Sequence, residues 1–436
     1  MDTGIALAEL PAVDVRFPRR RTASLISVVD AIAEAPRLQP YSDEVIAFCA
    51  SFAHELARRA RGMPELQALA FWMRKAELLR MRDEFRALGT ANVVLVPRGV
   101  VFHLPPANVD TIFVYSWLLS VLAGNINVVR LSSRETEQTE LILDVLTEVA
   151  ARTEHAGLAS NTVMLRYRHD GQATAALSEM ADVRVIWGGD GTVAEIRRFS
   201  IPPHAFDLSF PDRSSLTVIN AQHYNCLDDD ARESLAERFF NDAYWFDQLG
   251  CSSPRLVCWV GSEECAQRAA RVFFELLSSV VSRKSYKVDT ATAINKLTYA
   301  YRAVLDQQVA EVRWLDNEVV VLPLERFEAV SGEFCGAGTF YQVRCERLAE
   351  LASHVGRRDQ TLCHEGYSAD ELHELTIALN GSGIDRIVPV GDALTFNRFW
   401  DGNDLLQAFT RRVFIAARSD LGRYREKASD RGGEGR

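Results

Sequence analysis

Alternating strand-like and helix-like stretches from residue 92 onwards constrain the fold of this chain more than any other feature. Five short runs rich in β-branched and aliphatic residues alternate with stretches of helical spacing: Ala91 to Val96, Gly99 to Leu104, Ile126 to Leu131, Thr162 to Arg166 and Val183 to Trp187. Strand, helix, strand, helix is the pattern of a parallel, doubly wound sheet. A second series of the same kind runs from Ser215 to about Ile415.

These patterns divide the chain into four segments. Residues 1–90 are predicted to form a helical N-terminal region, 91–214 a first α/β domain, and 215–415 a second α/β domain with the C-terminal segment. The polar stretch 419–436 ends Gly-Gly-Glu-Gly-Arg and is predicted to be disordered. The predicted fold class is therefore α/β, with two doubly wound domains and a helical N-terminal region.

Charge and hydropathy exclude several function classes. The chain has 49 basic and 59 acidic residues, a net charge of −10, which argues against a nucleic-acid partner. The longest apolar run, Thr111 to Gly124, is too short to span ~30 Å of hydrocarbon as a helix, so we predict a buried helix and no membrane span.

Cysteine usage predicts a reducing compartment. The eight cysteines are scattered and form no C-x-x-C pair, which excludes the usual zinc patterns and a disulfide framework. No histidine motif of a metal site is present either, so we expect no metal. The N-terminal Met-Asp-Thr-Gly starts no visible signal peptide, and we expect a cytoplasmic protein.

The segment Phe246-Asp-Gln-Leu-Gly-Cys-Ser-Ser-Pro-Arg255 is the most informative one for chemistry. Cys251 lies in a turn of small residues before a predicted strand. A thiol there can approach a substrate closely, and nearby backbone amides can stabilise its thiolate. The alternative is a small buried hydrophobic residue.

Three further segments offer a functional and a structural interpretation each. Asn108, in Leu104-Pro-Pro-Ala-Asn-Val, is either an oxyanion donor or a helix N-cap. Gly188 and Gly189, in Trp187-Gly-Gly-Asp-Gly-Thr, form either a phosphate-binding turn or a simple tight turn. Arg130 and Arg134 follow a predicted strand and either bind a phosphate or lie in a solvated loop.

Taken in order, these segments resemble the aldehyde dehydrogenase superfamily, and more narrowly the long-chain fatty acyl-CoA reductase family known from bacterial bioluminescence. The resemblance covers about residues 90 to 415 and includes the late motifs Gly383-Ile-Asp-Arg-Ile-Val-Pro-Val-Gly and Trp400-Asp-Gly. It implies an aldehyde dehydrogenase-like fold, in which the first α/β domain binds the cofactor and the second carries the catalytic cysteine.

The resemblance also implies roles for single residues. Cys251 matches the nucleophile, and Asn108 matches the side-chain amide of the oxyanion hole. Gly188 and Gly189 match the turn near the cofactor pyrophosphate. The remaining cofactor contacts are Arg130, in place of a lysine that holds the adenosine ribose, and Glu333, which looks like the acid that binds the nicotinamide ribose.

Two departures from the superfamily pattern affect the expected chemistry. At Ser133 many NAD-preferring relatives carry a glutamate, whereas here Arg130 and Arg134 are close and we expect no nearby anion. This favours NADPH over NADH. Hydrolytic relatives carry a glutamate base where this chain has Asp207, a residue that is either a general base or a structural hydrogen-bond acceptor.

The resemblance therefore implies an NADPH-dependent reductase that converts an acyl thioester into an aldehyde through a Cys251 thioacyl-enzyme. The acyl donor is acyl-CoA, a carrier protein or a partner acyl-transfer enzyme. The enzymatic alternative is the oxidation of an aldehyde to an acid or an acyl thioester. Two other classes are a degenerate scaffold and a helical interaction domain within residues 1–90. A homo-oligomer is expected, because superfamily members extend β-strands across subunits, and the hairpin-like pair around Pro97-Arg-Gly is a candidate for this contact.

Overall fold

The computed structural model describes residues 11–106, 109–168, 171–306, 309, 311–327 and 334–416, without the side chains of residues 156 and 157. The chain folds into two compact units, 1–210 with 404–436 and 211–403. This division differs from the predicted domains, because the described part of the N-terminal region and the segment 404–416 both belong to the first unit.

The first unit is built on a seven-stranded sheet in the order β2-β1-β6-β5-β4-β7-β8. Strands β4 to β8 are parallel, and β1 and β2 join antiparallel at one edge. The strands are β1 Ala12–Phe17, β2 Arg21–Ser24, β4 Val100–Leu104, β5 Ile126–Arg130, β6 Thr162–Arg166, β7 Val183–Trp187 and β8 Phe206–Phe210.

The first two strands were not predicted for the N-terminal region, which was expected to be mostly helical. In β1 the side chains of Val13, Val15 and Phe17 are buried, so this strand places alternate apolar residues in the core. The helices of the unit are α1 Leu25–Glu34, α2 Asp43–Arg59, α3 Pro64–Trp72, α4 Lys75–Ala87, α5 Ile112–Leu122, α6 Glu137–Ala150, α7 Ala156–Ala159, α8 Gly171–Glu179, α9 Asp190–Ile196 and α15 Leu405–Ala408.

Helix α5 confirms the prediction of a buried apolar helix. All eleven of its residues are buried. Trp117 packs edge-on against Phe48 and Phe52 of α2, with ring centroids 6.2 and 6.1 Å apart. In the part of the chain that the structure describes, no helix is long and apolar enough to cross a membrane.

The predicted hairpin around Pro97-Arg-Gly is wrong. Strand β3, Val93–Pro97, pairs antiparallel with β18, Thr410–Phe414, in a separate two-stranded sheet. β4 instead lies between β5 and β7 as a parallel strand. The two strands flanking the turn therefore belong to different sheets, since β3 finds its partner more than three hundred residues further along the chain.

The second unit contains another seven-stranded sheet, in the order β11-β12-β13-β10-β9-β14-β15. All neighbours in it are parallel except β11 and β12. Its strands are β9 Ser214–Asn220, β10 Pro254–Val260, β11 Arg313–Trp314, β12 Val320–Pro323, β13 Thr339–Cys345, β14 Asp359–Glu365 and β15 Arg386–Pro389. The remaining strands are the short β16 Phe399–Trp400 and β17 Asn403–Asp404.

Apolar clusters cover both faces of this sheet. One contains Phe239 and Phe273, whose rings meet edge-on, and the other contains Val218 and Leu362. The helices are α10 Ala221–Cys226, α11 Asp229–Tyr244, α12 Glu263–Arg283, α13 Thr290–Leu305 and α14 Ala369–Leu379. Two doubly wound α/β units confirm the predicted fold class.

Candidate active site

Cys251 lies in a short loop of the second unit, between the 3-10 helix Trp245–Gln248 and strand β10. Three consecutive residues before it, Phe246, Asp247 and Gln248, have positive φ angles of 56, 53 and 62°. None of them is a glycine, so each occupies a region that L residues rarely adopt. Surrounding contacts must therefore hold this backbone in place.

The side chain of Gln248 provides such contacts. It is fully buried, and its Nε2 donates to the carbonyl oxygens of Pro254 and Thr339 at 2.8 and 2.9 Å. Its Oε1 accepts from the backbone N–H groups of Gly338 and Thr339 at 2.9 and 3.1 Å. One amide thus connects both ends of the cysteine loop to the start of β13.

The thiol of Cys251 contacts the amide of Gln360, the second residue of β14. Gln360 Nε2 donates to Cys251 Sγ at 3.6 Å, within the range of a hydrogen bond to sulfur. On the other side, Ser215 Oγ donates to the Cys251 carbonyl oxygen at 2.7 Å. The amino ends of β9, β10 and β14 therefore surround this residue, which is partly exposed.

Burial raises the pKa of the Cys251 thiol to about 11, and the charge of Asp401 acts in the same direction. Hydrogen bonds from Gln360 and Ser252 and the positive charge of Arg386 lower it. The resting thiol is thus protonated at neutral pH, and the reaction must stabilise its thiolate.

Four of the other described cysteines, Cys49, Cys258, Cys345 and Cys363, are buried in the core, whereas Cys226 is exposed and Cys265 and Cys335 are partly exposed. Cys49, Cys258 and Cys363 are fully buried, and burial raises the pKa of Cys49. Cys258 and Cys345 lie on adjacent strands with their sulfurs 3.5 Å apart. They therefore behave as core residues.

The first unit has the strand order of a dinucleotide-binding sheet. β4 lies in the middle, with β5 and β6 on one side and β7 and β8 on the other. Connections therefore change direction between β4 and β7, and ligands of open α/β sheets bind at the carboxyl ends of strands at such a point. Gly188 and Gly189 directly follow β7, at this position.

The glycine turn leaves room for a ligand. Gly188 has a φ of 157°, and a Cβ there would lie 3.1 Å from Thr192 Cβ. At Gly189 and Gly191 a Cβ would meet nothing within 4 Å. The backbone between β7 and α9 is thus open on one side, which suits close approach of a pyrophosphate.

Arg130 is the last residue of β5, the strand next to β4. It is partly buried, and its guanidinium lies 5.0 Å from the ring centroid of Tyr167. Ser133 and Arg134 follow and are exposed. Arg130, Ser133 and Arg134 thus lie at or just after the carboxyl end of β5.

The expectation of no nearby anion is wrong. Glu135 follows Arg134 directly, and its carboxylate pairs with Arg16 at 3.1 Å and with Arg166 at 2.5 Å. Glu135 lies one residue beyond the segment 130–134, and the two guanidinium groups that bind it come from the distant strands β1 and β6. Both guanidinium groups also pair with Glu140, at 2.6 and 3.1 Å, so they are shared between two carboxylates.

Asp207 is held in an ion pair with a buried arginine. Both carboxylate oxygens accept from Arg184, at 2.7 and 3.0 Å, and Arg197 lies at 3.7 Å. Only 1% of the Arg184 side chain is exposed. This geometry favours the structural interpretation of Asp207 over a general base, because both of its acceptor atoms are occupied.

Two of the predicted site residues, Asn108 and Glu333, lie outside the described residues. His103, which lies near a predicted functional segment, is a core histidine. It contacts Ser116 Oγ at 2.7 Å and Asn127 Oδ1 at 3.0 Å, and burial lowers its pKa to about 4. No group of three or more metal-ligating side chains occurs among the residues that the structure describes.

Sequence reasoning missed Gln248, Gln360 and Asp401. Gln248 stands inside the quoted cysteine motif and Asp401 inside Trp400-Asp-Gly, so their segments were noted without a role. Gln360 carries no sequence signal, because it follows Cys251 by 109 residues and meets it only through strand pairing.

Solved structures with a similar fold include several aldehyde dehydrogenases. Aldehyde dehydrogenase 21 from Physcomitrella patens matches with a TM-score of 0.69 and 12% identity, covering 95% of this chain and 96% of that one. Methylmalonate-semialdehyde dehydrogenase from Oceanimonas doudoroffii matches with a TM-score of 0.64 and 13% identity, covering 93% and 95%. A variant of 1-pyrroline-5-carboxylate dehydrogenase from Thermus thermophilus matches with a TM-score of 0.64 and 13% identity, covering 90% of this chain and 84% of that one.

A comparison with curated protein sequences gives no match. Residues 30–412 match the model of the family described as acyl-CoA reductase (LuxC), which is nearly the whole chain. The chain therefore belongs to the acyl-CoA reductase (LuxC) family, with an aldehyde dehydrogenase-like fold, and it is an oxidoreductase that reduces an acyl-CoA to an aldehyde.

Proposed function

We propose that this acyl-CoA reductase works through a thioacyl-enzyme on Cys251 and takes its electrons from NADPH. The observation that carries the proposal is the position of the Cys251 thiol, which is partly exposed on a loop that Gln248 holds by four hydrogen bonds. A nucleophile must be held in a fixed geometry against the thioester carbonyl for attack to be efficient.

Acylation exchanges one thioester for another. The Cys251 sulfur attacks the thioester carbonyl carbon, the carbon–sulfur bond to coenzyme A breaks, and the proton of the thiol ends on the departing thiol. Asn108 is proposed to donate its side-chain amide to the oxyanion, as its match to the family motif implies. No oxidation or reduction occurs in this step.

NADPH, when bound, supplies a hydride to an acceptor carbon. Reduction of the thioacyl carbon by two electrons gives a hemithioacetal oxyanion, which collapses to the free aldehyde and the Cys251 thiolate. One proton from solvent then returns the thiolate to the thiol. The residues proposed to hold the cofactor are Gly188 and Gly189 at the pyrophosphate, Arg130, Ser133 and Arg134 at the adenosine end, and Glu333 at the nicotinamide ribose.

Two observations support this assignment of the cofactor. The turn after β7 is open at Gly189, where a Cβ would meet no atom within 4 Å. At the end of β5, Arg130 and Arg134 bring two guanidinium groups, and the only carboxylate next to them in sequence, Glu135, is already paired with Arg16 and Arg166. A 2′-phosphate would therefore gain cationic partners there.

Aldehyde oxidation remains the second candidate function, and it requires a base that activates water. Asp207 is the acid at the position of that base, and its ion pair with Arg184 argues against the role. The proposed direction is therefore reduction. A cytoplasmic location is proposed with it, because a catalytic thiol needs a reducing compartment.

A homo-oligomer is also proposed, with the two-stranded sheet of β3 and β18 as its contact. Val94, Val413 and Phe414 of this sheet and the adjoining Ile415 are 40 to 68% exposed. A two-stranded sheet with exposed apolar residues is marginal in water and gains stability when another surface covers it. The acyl donor is proposed to be acyl-CoA or an acyl group delivered by a carrier or acyl-transfer partner.

Acylation is tested by intact mass spectrometry of the enzyme incubated anaerobically with acyl-CoA of several chain lengths, without NADPH. Wild-type enzyme and Cys226→Ala, which removes an exposed cysteine, should gain one acyl mass, and Cys251→Ala should gain none. Labelling that persists in Cys251→Ala would overturn the proposal.

A further inference from the structure

A buried polar network surrounds the sulfur of Cys251. Gln360 is fully buried, and its Nε2 donates both to Cys251 Sγ, at 3.6 Å, and to Asp401 Oδ1. Its Oε1 accepts from Ser252 Oγ at 2.8 Å and from Thr361 Oγ1 at 3.1 Å. All four polar contacts of this amide are thus made inside the second unit.

The chemistry of these partners fixes which way the amide faces. A carboxylate only accepts hydrogen bonds, so Asp401 requires the NH2 group of Gln360 on its side. The hydroxyls of Ser252 and Thr361 can donate, and they occupy the opposite side of the amide, where its oxygen lies. The N–H that faces the sulfur is therefore a defined donor.

Asp401 is itself held in place. Its side chain is 4% exposed, and Arg213 lies 3.9 Å away and also pairs with Asp385 at 2.6 Å. The residue has a positive φ of 47°, between β16 and β17. A buried carboxylate on a backbone of this kind has few alternative positions, so the amide it orients is rigid.

We propose that Gln360 is a catalytic residue that donates a hydrogen bond to the Cys251 thiolate, and that Asp401 is a positioning residue that fixes the Gln360 amide and adds a negative charge beside it. The inference deepens the proposed function and rests on it for its role in turnover. Negative charge is present on the sulfur when it attacks the thioester and when the hemithioacetal collapses, and a donor to sulfur stabilises both stages.

The test measures the thiol itself and needs neither acyl-CoA nor NADPH. Full-length wild-type and variant proteins are alkylated with iodoacetamide between pH 7 and pH 10, and the modification of Cys251 and of the exposed Cys226 is followed by peptide mass spectrometry. Below its pKa a thiol reacts in proportion to its thiolate fraction, so a change of one pKa unit changes the rate about tenfold. The charged groups that act on this thiol are Asp401 and Arg386, with Arg213 and Asp385 behind Asp401.

The two roles predict shifts of opposite sign. Gln360→Met keeps the length of the side chain and removes the donor, so Cys251 should react about tenfold more slowly at each pH. Asp401→Asn keeps an acceptor for Gln360 Nε2 and removes the negative charge, so Cys251 should react about tenfold faster. Cys226 should keep its rate in both variants.

If Gln360 and Asp401 had merely structural roles, the alkylation rate of Cys251 would change in the same direction in both variants or stay unchanged in both. Either result would overturn the proposal. Ser252→Ala provides a second test if Gln360→Met does not fold, because it removes a smaller part of the network. It should slow alkylation of Cys251, and a wild-type pH profile would contradict the role of Gln360. Absence of an acyl adduct on the wild-type enzyme would instead refute the proposed function, and the alkylation profiles would still decide this inference.

Discussion

Replacement of Gln248 by leucine tests how much of the cysteine loop depends on one buried amide. Leucine has a similar volume and makes no hydrogen bond, so the change removes all four contacts of the side chain. Residue 248 has a φ of 62°, and glutamine and leucine both carry a Cβ there. The backbone strain at this position is therefore nearly the same in the wild-type and the variant protein.

The expected loss of stability follows from the number of hydrogen bonds. A buried hydrogen bond contributes about 1 kcal/mol net, and a buried partner left without one costs about 1–3 kcal/mol. The N–H of Thr339 also reaches the Gly336 carbonyl oxygen at 3.2 Å, so part of the loss is compensated. We expect the Gln248→Leu variant to be destabilised by about 3–5 kcal/mol in the unfolding transition of the second unit.

The assay is a urea titration followed by tryptophan fluorescence, with acylation of Cys251 by acyl-CoA measured in parallel. Gln267→Leu is the matched control, since this glutamine is exposed and its amide bonds only the Glu263 side chain, at 2.6 Å. The control should change stability by less than about 0.5 kcal/mol and keep the acylation rate. A Gln248→Leu protein within 1 kcal/mol of wild type, or one that is acylated at the normal rate, would refute the reasoning.

Three other outcomes are expected. Because burial raises the pKa of Cys251 to about 11, its alkylation rate in the free enzyme should rise about tenfold per pH unit between pH 7 and 10, and a plateau near pH 8 would contradict this. Arg134→Ala should raise the KM for NADPH about tenfold and change that for NADH little, because one cationic partner of a 2′-phosphate is lost; an equal rise for both cofactors would argue against that contact. In Asp207→Asn, hydrolysis of the acyl-enzyme without NADPH should stay within about threefold of wild type, since Asp207 is bonded to Arg184; a hundredfold loss would restore Asp207 as the base that activates water.

Much of the fold follows from local sequence patterns. The predicted strands Thr162 to Arg166 and Val183 to Trp187 have the bounds of β6 and β7, and the predicted buried helix is α5. Each of these elements is a run of apolar residues, which is stable only when it is buried. Its secondary structure and burial can therefore be predicted from its own sequence.

What the sequence could not predict depends on contacts between distant segments. β3 is a short apolar run with several possible partners, and its pairing with β18 is decided by the folded chain. Strand β1 shows the alternation of Val13, Val15 and Phe17, but three apolar residues next to long helical stretches are a weak signal.

The candidate site shows the same limit. Cys251 and the glycine turn after β7 were predicted because each lies in a short motif of consecutive residues. Gln360 and Asp401 contribute one polar group each from other strands and loops, and an isolated glutamine or aspartate has no pattern that distinguishes it from a surface residue. The parallel pairing of β9 with β10 and β14 brings Gln360 to the sulfur, and Asp401 reaches Gln360 from the turn between β16 and β17.

A single-turnover experiment tests the central claim most directly. The enzyme is acylated with acyl-CoA, freed of excess acyl-CoA by gel filtration, and mixed with NADPH, while the acyl mass on Cys251 and the released product are measured together. The account predicts that the adduct disappears with one equivalent of aldehyde formed and one equivalent of NADPH oxidised. An adduct that persists in NADPH, or that is released as free acid at the same rate without it, would contradict the account.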